Sequence, residues 1–269
     1  MSLRIAHLSD THFGCENAAA AEGAVEAVWR FRPSLVVVTG DITLDGRRRE
    51  FAAARDWLAR LPQPLLATPG NHDTPTWNLG LRAAAPFWRF RRYIGPAEPP
   101  CVRIPGLVAC ALNTARGAQA RLDWSLGAAD PAAAARVVAV MAEAGDLLKV
   151  VACHHPLVEV EGAKVASGVR GGVAVARKLA EAGVDLILSG HLHTPFARAF
   201  GAEGASAHLC GAGTLSRRTR GAPAGYSAIE ADGRQISVTA LGWTGSRFEP
   251  FRTWIFDRGA LTRAAAPTA

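Results

Sequence analysis

What this chain lacks narrows it first. No apolar run approaches the roughly 18 to 20 residues that a membrane-spanning helix requires, which predicts a protein without such a span. Met1 to Asp10 reads as a strand and has neither the apolar stretch nor the cleavage site of a signal peptide, which predicts a cytoplasmic setting. The five cysteines, Cys15, Cys101, Cys110, Cys153 and Cys210, are odd in number, widely spread and without a C-x-x-C pair. That argues against a disulfide framework or a cysteine zinc site and predicts free thiols. Also missing are H-E-x-x-H, the G-x-S-x-G elbow and the phosphate loop G-x-x-x-x-G-K. The formal charge of +7 favours anionic partners, but no long basic run or aromatic-interleaved stripe accompanies it. A small anionic substrate is therefore favoured over nucleic acid.

What is present is organised around Leu35-Val36-Val37-Val38-Thr39-Gly40-Asp41. Four consecutive apolar residues between Pro33 and Gly40 have the pattern of a strand buried on both faces, and this strand runs into a carboxylate. In open α/β folds ligands bind beyond the carboxyl ends of strands, so Asp41 is placed for chemistry. Before it come a strand to Ser9 and an alanine-rich helix over 18–32. After it come a helix over about 47–60 and a short strand over 64–68. This βαβαβ rhythm predicts a parallel sheet with right-handed crossovers. Buried-type strands recur at Leu147 to Ala152 and Val184 to Ser189, and the pattern beyond Pro195 predicts antiparallel strands completing a second sheet. A hairpin is expected across Asp232-Gly233. Residues 74–100, rich in aromatics and arginine, read as a helix packed on the body, with a cap over a substrate cleft as the alternative. No internal repeat or linker appears, so residues 1–258 are expected to form one domain and residues 259–269 a flexible tail.

Five strand ends carry metal-type side chains: Asp10-Thr11-His12, Gly40-Asp41, Gly70-Asn71-His72-Asp73, His154-His155-Pro156 and Gly190-His191-Leu192-His193. Residues two apart in an extended segment point the same way, so Asp10 with His12, and His191 with His193, are each expected to face one site. Carboxylate oxygen, amide oxygen and imidazole nitrogen together suit iron, zinc or manganese rather than calcium or magnesium.

In this order the blocks resemble the calcineurin-like metallophosphoesterase family, and their compact spacing and His-His-Pro block resemble its small-phosphodiester, cyclic-nucleotide phosphodiesterase-like branch. The resemblance implies an α/β fold of four layers, αββα, with two mixed sheets flanked by helices. It also implies a phosphoesterase with two metal ions that share and activate a water molecule. By the same resemblance Asp10, His12 and His193 hold one metal, Asn71, His154 and His191 the other, and Asp41 bridges them. His72 assists the leaving group, Asp73 orients His72, and His155 stands behind His154. Arg217, Arg218 and Arg220, the densest basic cluster, are candidate clamps on a substrate phosphate because guanidinium suits bidentate phosphate binding.

Overall fold

The computed structural model describes residues 2–202 and 204–258, so the expectation of a flexible tail over 259–269 falls outside the described residues. The chain begins with β1 (Leu3–Leu8), α1 (Ala18–Phe31), β2 (Leu35–Val38), α2 (Arg48–Leu58) and β3 (Leu65–Ala67). Local chemistry sets the ends of α1: the Asn17 side chain accepts from the Ala20 amide at 3.2 Å, and Arg32 closes the helix in the left-handed conformation. Next come two short helices, α3 (Leu79–Ala84) and α4 (Trp88–Tyr93), separated around Pro86 rather than joined as one. The hairpin of β4 (Val102–Ile104) and β5 (Leu107–Ala111) follows, then β6 (Gly127–Ala128), α5 (Pro131–Ala142), β7 (Leu148–Ala152), β8 (Val169–Arg170), α6 (Gly172–Glu181) and β9 (Leu186–Ser189). The chain continues through β10 (Phe196–Ala202), β11 (Ala205–Gly211), β12 (Gly225–Ala231), β13 (Gln235–Trp243) and β14 (Phe248–Asp257).

Two six-stranded mixed sheets result, ordered β14-β13-β12-β1-β2-β3 and β10-β11-β9-β7-β5-β4. Strands β1, β2 and β3 run parallel, as do β5, β7, β9 and β11. The antiparallel strands beyond Pro195 divide: β10 edges the second sheet, whereas β12, β13 and β14 extend the first through the pairing of β1 with β12. The expectation that they complete only a second sheet is corrected accordingly. Ser227 to Ala231 align with β1 as a direct antiparallel partner, a long-range pairing that no local pattern reports.

Alternation along β2 shows how the layers form. Leu35 and Val37 join Ile5, Leu107, Val150, Leu186 and Trp254 in an apolar layer between the sheets. Val36 and Val38 point the other way, to Val28 of α1 and Phe51 and Trp57 of α2. On the far side of the second sheet, Val108, Val151 and Ile187 pack on Met141 of α5 and Leu179 of α6. The order is helix, sheet, sheet, helix. Each fully buried aliphatic side chain contributes about 1.5–3 kcal/mol relative to exposure. Phe87 and Phe90 sink into the apolar layer beneath α1 and α2, and Tyr93 packs against it, whereas Trp77 is exposed.

The free-thiol expectation is corrected at one pair. Cys101 and Cys110 form a disulfide, with their Cα atoms 4.3 Å apart. The physical reason is register: Val102 faces Ala109 across the hairpin, which puts Cys101 opposite Cys110 despite nine residues of separation. Cys15, Cys153 and Cys210 remain thiols. Among the described residues no helix is long and apolar enough to cross a membrane.

Candidate metal centre

All five sequence blocks lie just beyond the carboxyl ends of parallel strands: β1, β2 and β3 of one sheet, β7 and β9 of the other. Loop-to-loop backbone bonds knit them together, from the Asp10 amide to the Gly40 carbonyl, from the His12 amide to the Asp41 carbonyl, and from the Gly190 amide to the His154 carbonyl, at 2.9–3.0 Å. The blocks are not extended, however. Asp10, His12, Asp41, His191 and His193 all adopt positive φ, between 45° and 67°. Side chains rarely tolerate this region, at a cost of about 1–2 kcal/mol each, and such strain gathers at functional sites. The expectation of an extended backbone at these pairs is corrected: Asp10 and His12 still fall in one candidate metal group, whereas His191 and His193 fall in different ones.

The close approach depends on glycines. A Cβ at Gly70 would overlap the Asp41 carboxylate and its amide, and one at Gly190 would overlap Ser9 Oγ and the Asp10 carboxylate.

The donor atoms converge. His193 Nε2 lies 3.1 Å from Asp10 Oδ1 and 3.1 Å from His12 Nε2, which in turn is 3.8 Å from Asp41 Oδ2. His154 Nε2 lies 3.2 Å from the same Asp41 Oδ2 and 3.1 Å from Asn71 Oδ1. Asp41 thus stands between two groups of ligating atoms, while its Oδ1 accepts from the His72 amide at 2.8 Å.

Hydrogen bonds behind the centre decide which nitrogen faces inward. His193 Nδ1 donates to the Arg218 carbonyl at 2.6 Å, and His154 Nδ1 donates to the Thr39 carbonyl at 2.7 Å, so Nε2 is the nitrogen each turns to the centre. His191 uses Nε2 on the Ala166 carbonyl at 3.2 Å, leaving Nδ1 free. In the deprotonated state that ligates a metal, the Nε2 lone pairs of His193 and His154 face carboxylate oxygens with no proton between them. Asp10 Oδ2 is satisfied by Ser9 Oγ and the His191 amide, yet Asp10 Oδ1 is buried without a hydrogen-bond partner. Buried acceptors facing one another cost free energy unless a cation joins them. Among the described residues four overlapping groups, drawn from Asp10, His12, Asp41, His72, His154, His155, His191 and His193, have ligating atoms close enough together to hold a metal ion. The donor set therefore fits a metal centre.

Electrostatics follow from burial and neighbours. Burial alone would raise Asp10 and Asp41, but His193 and His12 around the first, and His154 and His72 around the second, hold both well below the usual carboxylate range. Burial lowers His12 and His191 to about 4. At His154 burial is outweighed by Asp41, which brings it up to about 9.

The structure corrects two assignments, those of Asp73 and Arg217, and supplies groups that the sequence did not mark. Asp73 does not touch the His72 ring: its carboxylate accepts from the amides of Ile42, Thr43 and Gly70 and from Thr43 Oγ1, at 2.8–3.2 Å. It braces the Asp41 loop, and burial with the Asp41 charge raises it to about 6. His72 is oriented instead by the Leu44 carbonyl, which accepts from Nδ1 at 2.6 Å, while Arg218 Nη1 donates to its Nε2 at 3.1 Å. His155 commits both ring nitrogens, accepting from Thr114 Oγ1 at 2.9 Å and donating to the Ser125 carbonyl at 2.7 Å, so it stands behind His154. Of the three arginines, Arg218 and Arg220 line the cavity in front of the centre and Arg217 is exposed outside it. That cavity, about 280 Å³, is completed by Asp123, Ser125, Val165 and Ala166. These come from the β5–β6 and β7–β8 loops, at a distance from the carboxyl ends of the strands they follow, and none of residues 74–100 lines it.

Known proteins resemble this chain in sequence and in fold. The glycerophosphodiester phosphodiesterase GpdQ of Enterobacter lignolyticus (strain SCF1) is 32% identical over 168 residues, 56% of this chain and 56% of its own length. A probable cyclic nucleotide phosphodiesterase of Synechococcus sp. is 32% identical over 96 residues, 32% of this chain and 38% of its own length. The chain therefore spans about half the length or less of these curated relatives. In fold it is similar to the solved structure of PhoD, with a TM-score of 0.72 at 11% identity, covering 100% of this chain and 72% of that one. A family model described as calcineurin-like phosphoesterase matches residues 3–195, a stretch that holds all five blocks, and the chain belongs to that family.

Proposed function

We propose that the chain is a binuclear metal-dependent phosphoesterase that hydrolyses small phosphodiesters of the cyclic-nucleotide or glycerophosphodiester type. The observation that carries this is the position of Asp41 Oδ2 between His12 and His154, with Arg218 and Arg220 on the wall of the same small cavity. Asp10, His12 and His193 would hold one ion, Asn71, His154 and His191 the other, and Asp41 both; manganese, iron and zinc suit these donors. When bound, such a pair neutralises the phosphoester and lowers the pKa of water. Arg218 and Arg220 orient the phosphate. Arg218 is pre-positioned by its bond to His72 Nε2. Transfer of that guanidinium to the phosphate would free Nε2 of His72 to take up a proton from solvent and pass it to the departing alkoxide, an effect worth roughly 10² to 10⁴ in rate. Asp73 supports the loop rather than the proton. We propose further that residues 1–258 act as one domain, which is supported by the apolar layer the two sheets share.

Elemental analysis of the purified protein tests the metals, and a manganese-supplemented panel tests the substrate: bis(4-nitrophenyl) phosphate, cyclic nucleotides, glycerophosphodiesters, phosphomonoesters and single-stranded DNA. Turnover of small diesters is expected. Asp41→Asn should abolish turnover and lower occupancy of both ions. Activity confined to monoesters or DNA, or retained metals in Asp41→Asn, would overturn the proposal.

A further inference from the structure

Seven large apolar side chains are exposed among the described residues, and three of them belong to the rim of the cavity in front of the centre. Trp77 is 77% exposed, Leu79 is 60% exposed and Leu122 is fully exposed. The other four lie on α1, α6 and β14, none of which lines that cavity.

Two segments carry these three side chains, and each also supplies a wall of the cavity. Residues 71–79 hold Asn71 and His72 at one end and Trp77 and Leu79 at the other, while Leu122 directly precedes Asp123 and Ser125. The segments are bound to each other. Arg82 donates to the Gly117 carbonyl at 3.0 Å and to the Trp124 carbonyl at 3.4 Å, with its guanidinium over the Trp124 ring at 5.5 Å. Leu79 and Arg82 are three apart on α3 and share one face of it, so Leu79 and Leu122 flank the same junction. A surface that received the three side chains would lie across the mouth of the cavity. Positive charge surrounds them. A cleft of about 330 Å³ beside Trp77 is lined by Arg47 and Arg89 as well as Asp45, whose carboxylate is already paired with Arg47 at 3.0 Å. Asp123, next to Leu122, is held by two bonds from Ser125. Arg48 and Arg49 are exposed at the start of α2, at the same end of the first sheet as the metal centre, where they oppose the helix dipole unless an anion stands before them.

The shape of the rim selects the partner. A protein partner binds through side chains packed into complementary pockets, whereas these three protrude singly. Single-stranded nucleic acid is held by aromatic platforms along a basic groove, and a leucine offers no stacking face. A lipid headgroup layer needs no matching shape: it takes protruding leucines, places an indole at its own depth and offers phosphates to arginine. We propose that Trp77, Leu79 and Leu122 seat the rim of the cavity on an anionic phospholipid surface, with Arg48 and Arg49 on lipid phosphates. The cavity mouth then faces the headgroups. The attachment needs neither metal nor turnover, so it stands or falls separately from the phosphoesterase reading.

The test is co-sedimentation of the full chain with vesicles of phosphatidylcholine, alone or with about a third phosphatidylglycerol. Binding to the anionic vesicles is expected to exceed binding to the neutral ones and to weaken as salt is raised. Trp77→Ala and Leu122→Glu, in separate segments and both at exposed positions, should each lower the partition coefficient about tenfold or more, the loss expected when one large apolar side chain no longer leaves water. Arg48→Glu combined with Arg49→Glu should remove the preference for anionic vesicles. Phe251→Glu, exposed on β14 away from the rim, is the control and should bind as the wild type does. Thermal unfolding at an unchanged Tm shows that each variant is folded. No binding to anionic vesicles, or binding that survives both Trp77→Ala and Leu122→Glu, would overturn the proposal, as would an equal loss in Phe251→Glu. Light scattering and DNA binding supply the competing outcomes: a dimer that Leu122→Glu dissolves, or single-stranded DNA bound by the wild type and released by the same variant, would assign the rim to that partner and refute the lipid surface.

Discussion

Adding one methyl group at Gly70 separates close approach from every other property of the centre. The φ of Gly70 is not in the left-handed region, so alanine meets no conformational penalty there, and the obstacle is space alone. Its Cβ would overlap Asp41 Oδ1 and lie within 2.4 Å of the Asp41 amide nitrogen, the second of which is backbone and cannot swing aside. Forcing a methylene-sized group into packed surroundings costs about 1–3 kcal/mol, and the reduced freedom of the unfolded chain returns about 0.4–1 kcal/mol. The net loss is then up to about 2.6 kcal/mol. At about 2–4 °C per kcal/mol for a chain of this size, Tm should fall by up to about 10 °C. The larger effect is on metal: because Asp41 must move, occupancy of both proposed ions should drop together. Gly168→Ala is the control, with no atom within 4 Å of the added Cβ and no positive φ, and should leave Tm unchanged or slightly raised. Differential scanning fluorimetry and elemental analysis on the two variants decide the matter. Gly70→Ala with two ions bound and a Tm equal to that of Gly168→Ala would refute the claim that Gly70 holds the Asp41 loop in place.

Other outcomes follow from the same geometry. Removing Arg218 takes away the donor to His72 Nε2 and one cavity cation, so Arg218→Ala should raise KM for a small diester about tenfold or more, with Arg218→Lys recovering part of the loss; an unchanged KM would exclude Arg218 from phosphate binding. His7 is buried, bonded through Nε2 to Thr39 Oγ1, and its pKa is lowered to about 3 by desolvation. Because the folded value lies below the unfolded value of about 6.5, its contribution is full above pH 6.5 and is lost as pH falls from there toward 3, about 1.4 kcal/mol by pH 5.5. Stability measured by urea unfolding between pH 7.5 and 5.5 should therefore fall less steeply in His7→Gln than in the wild type, and equal slopes would count against the assignment. Alkylation of the denatured, unreduced protein should label three cysteines, Cys15, Cys153 and Cys210, and label all five only after reduction, as read by intact mass. Five labels without reduction would remove the Cys101–Cys110 bond.

The sequence by itself determined the strand that ends at Asp41, the parallel βαβαβ start and the ligand types at five strand ends, because burial on two faces and a glycine turn leave their mark within a few consecutive residues. The local grouping of Asp10 with His12 was legible for the same reason, although their left-handed backbone, and the parting of His191 from His193 into different candidate metal groups, were not. Only tertiary structure decided that β12 pairs with β1, that Cys101 faces Cys110, that Leu44 rather than Asp73 orients His72, and that Asp123 and Ser125 wall the cavity while Arg217 lies outside it. Each of these depends on which distant segment a loop lands against. A hydrogen bond between residues 28 positions apart, as from His72 to Leu44, is set by the pairing of β2 with β3, whose following loops carry the two residues, and has no counterpart in local pattern.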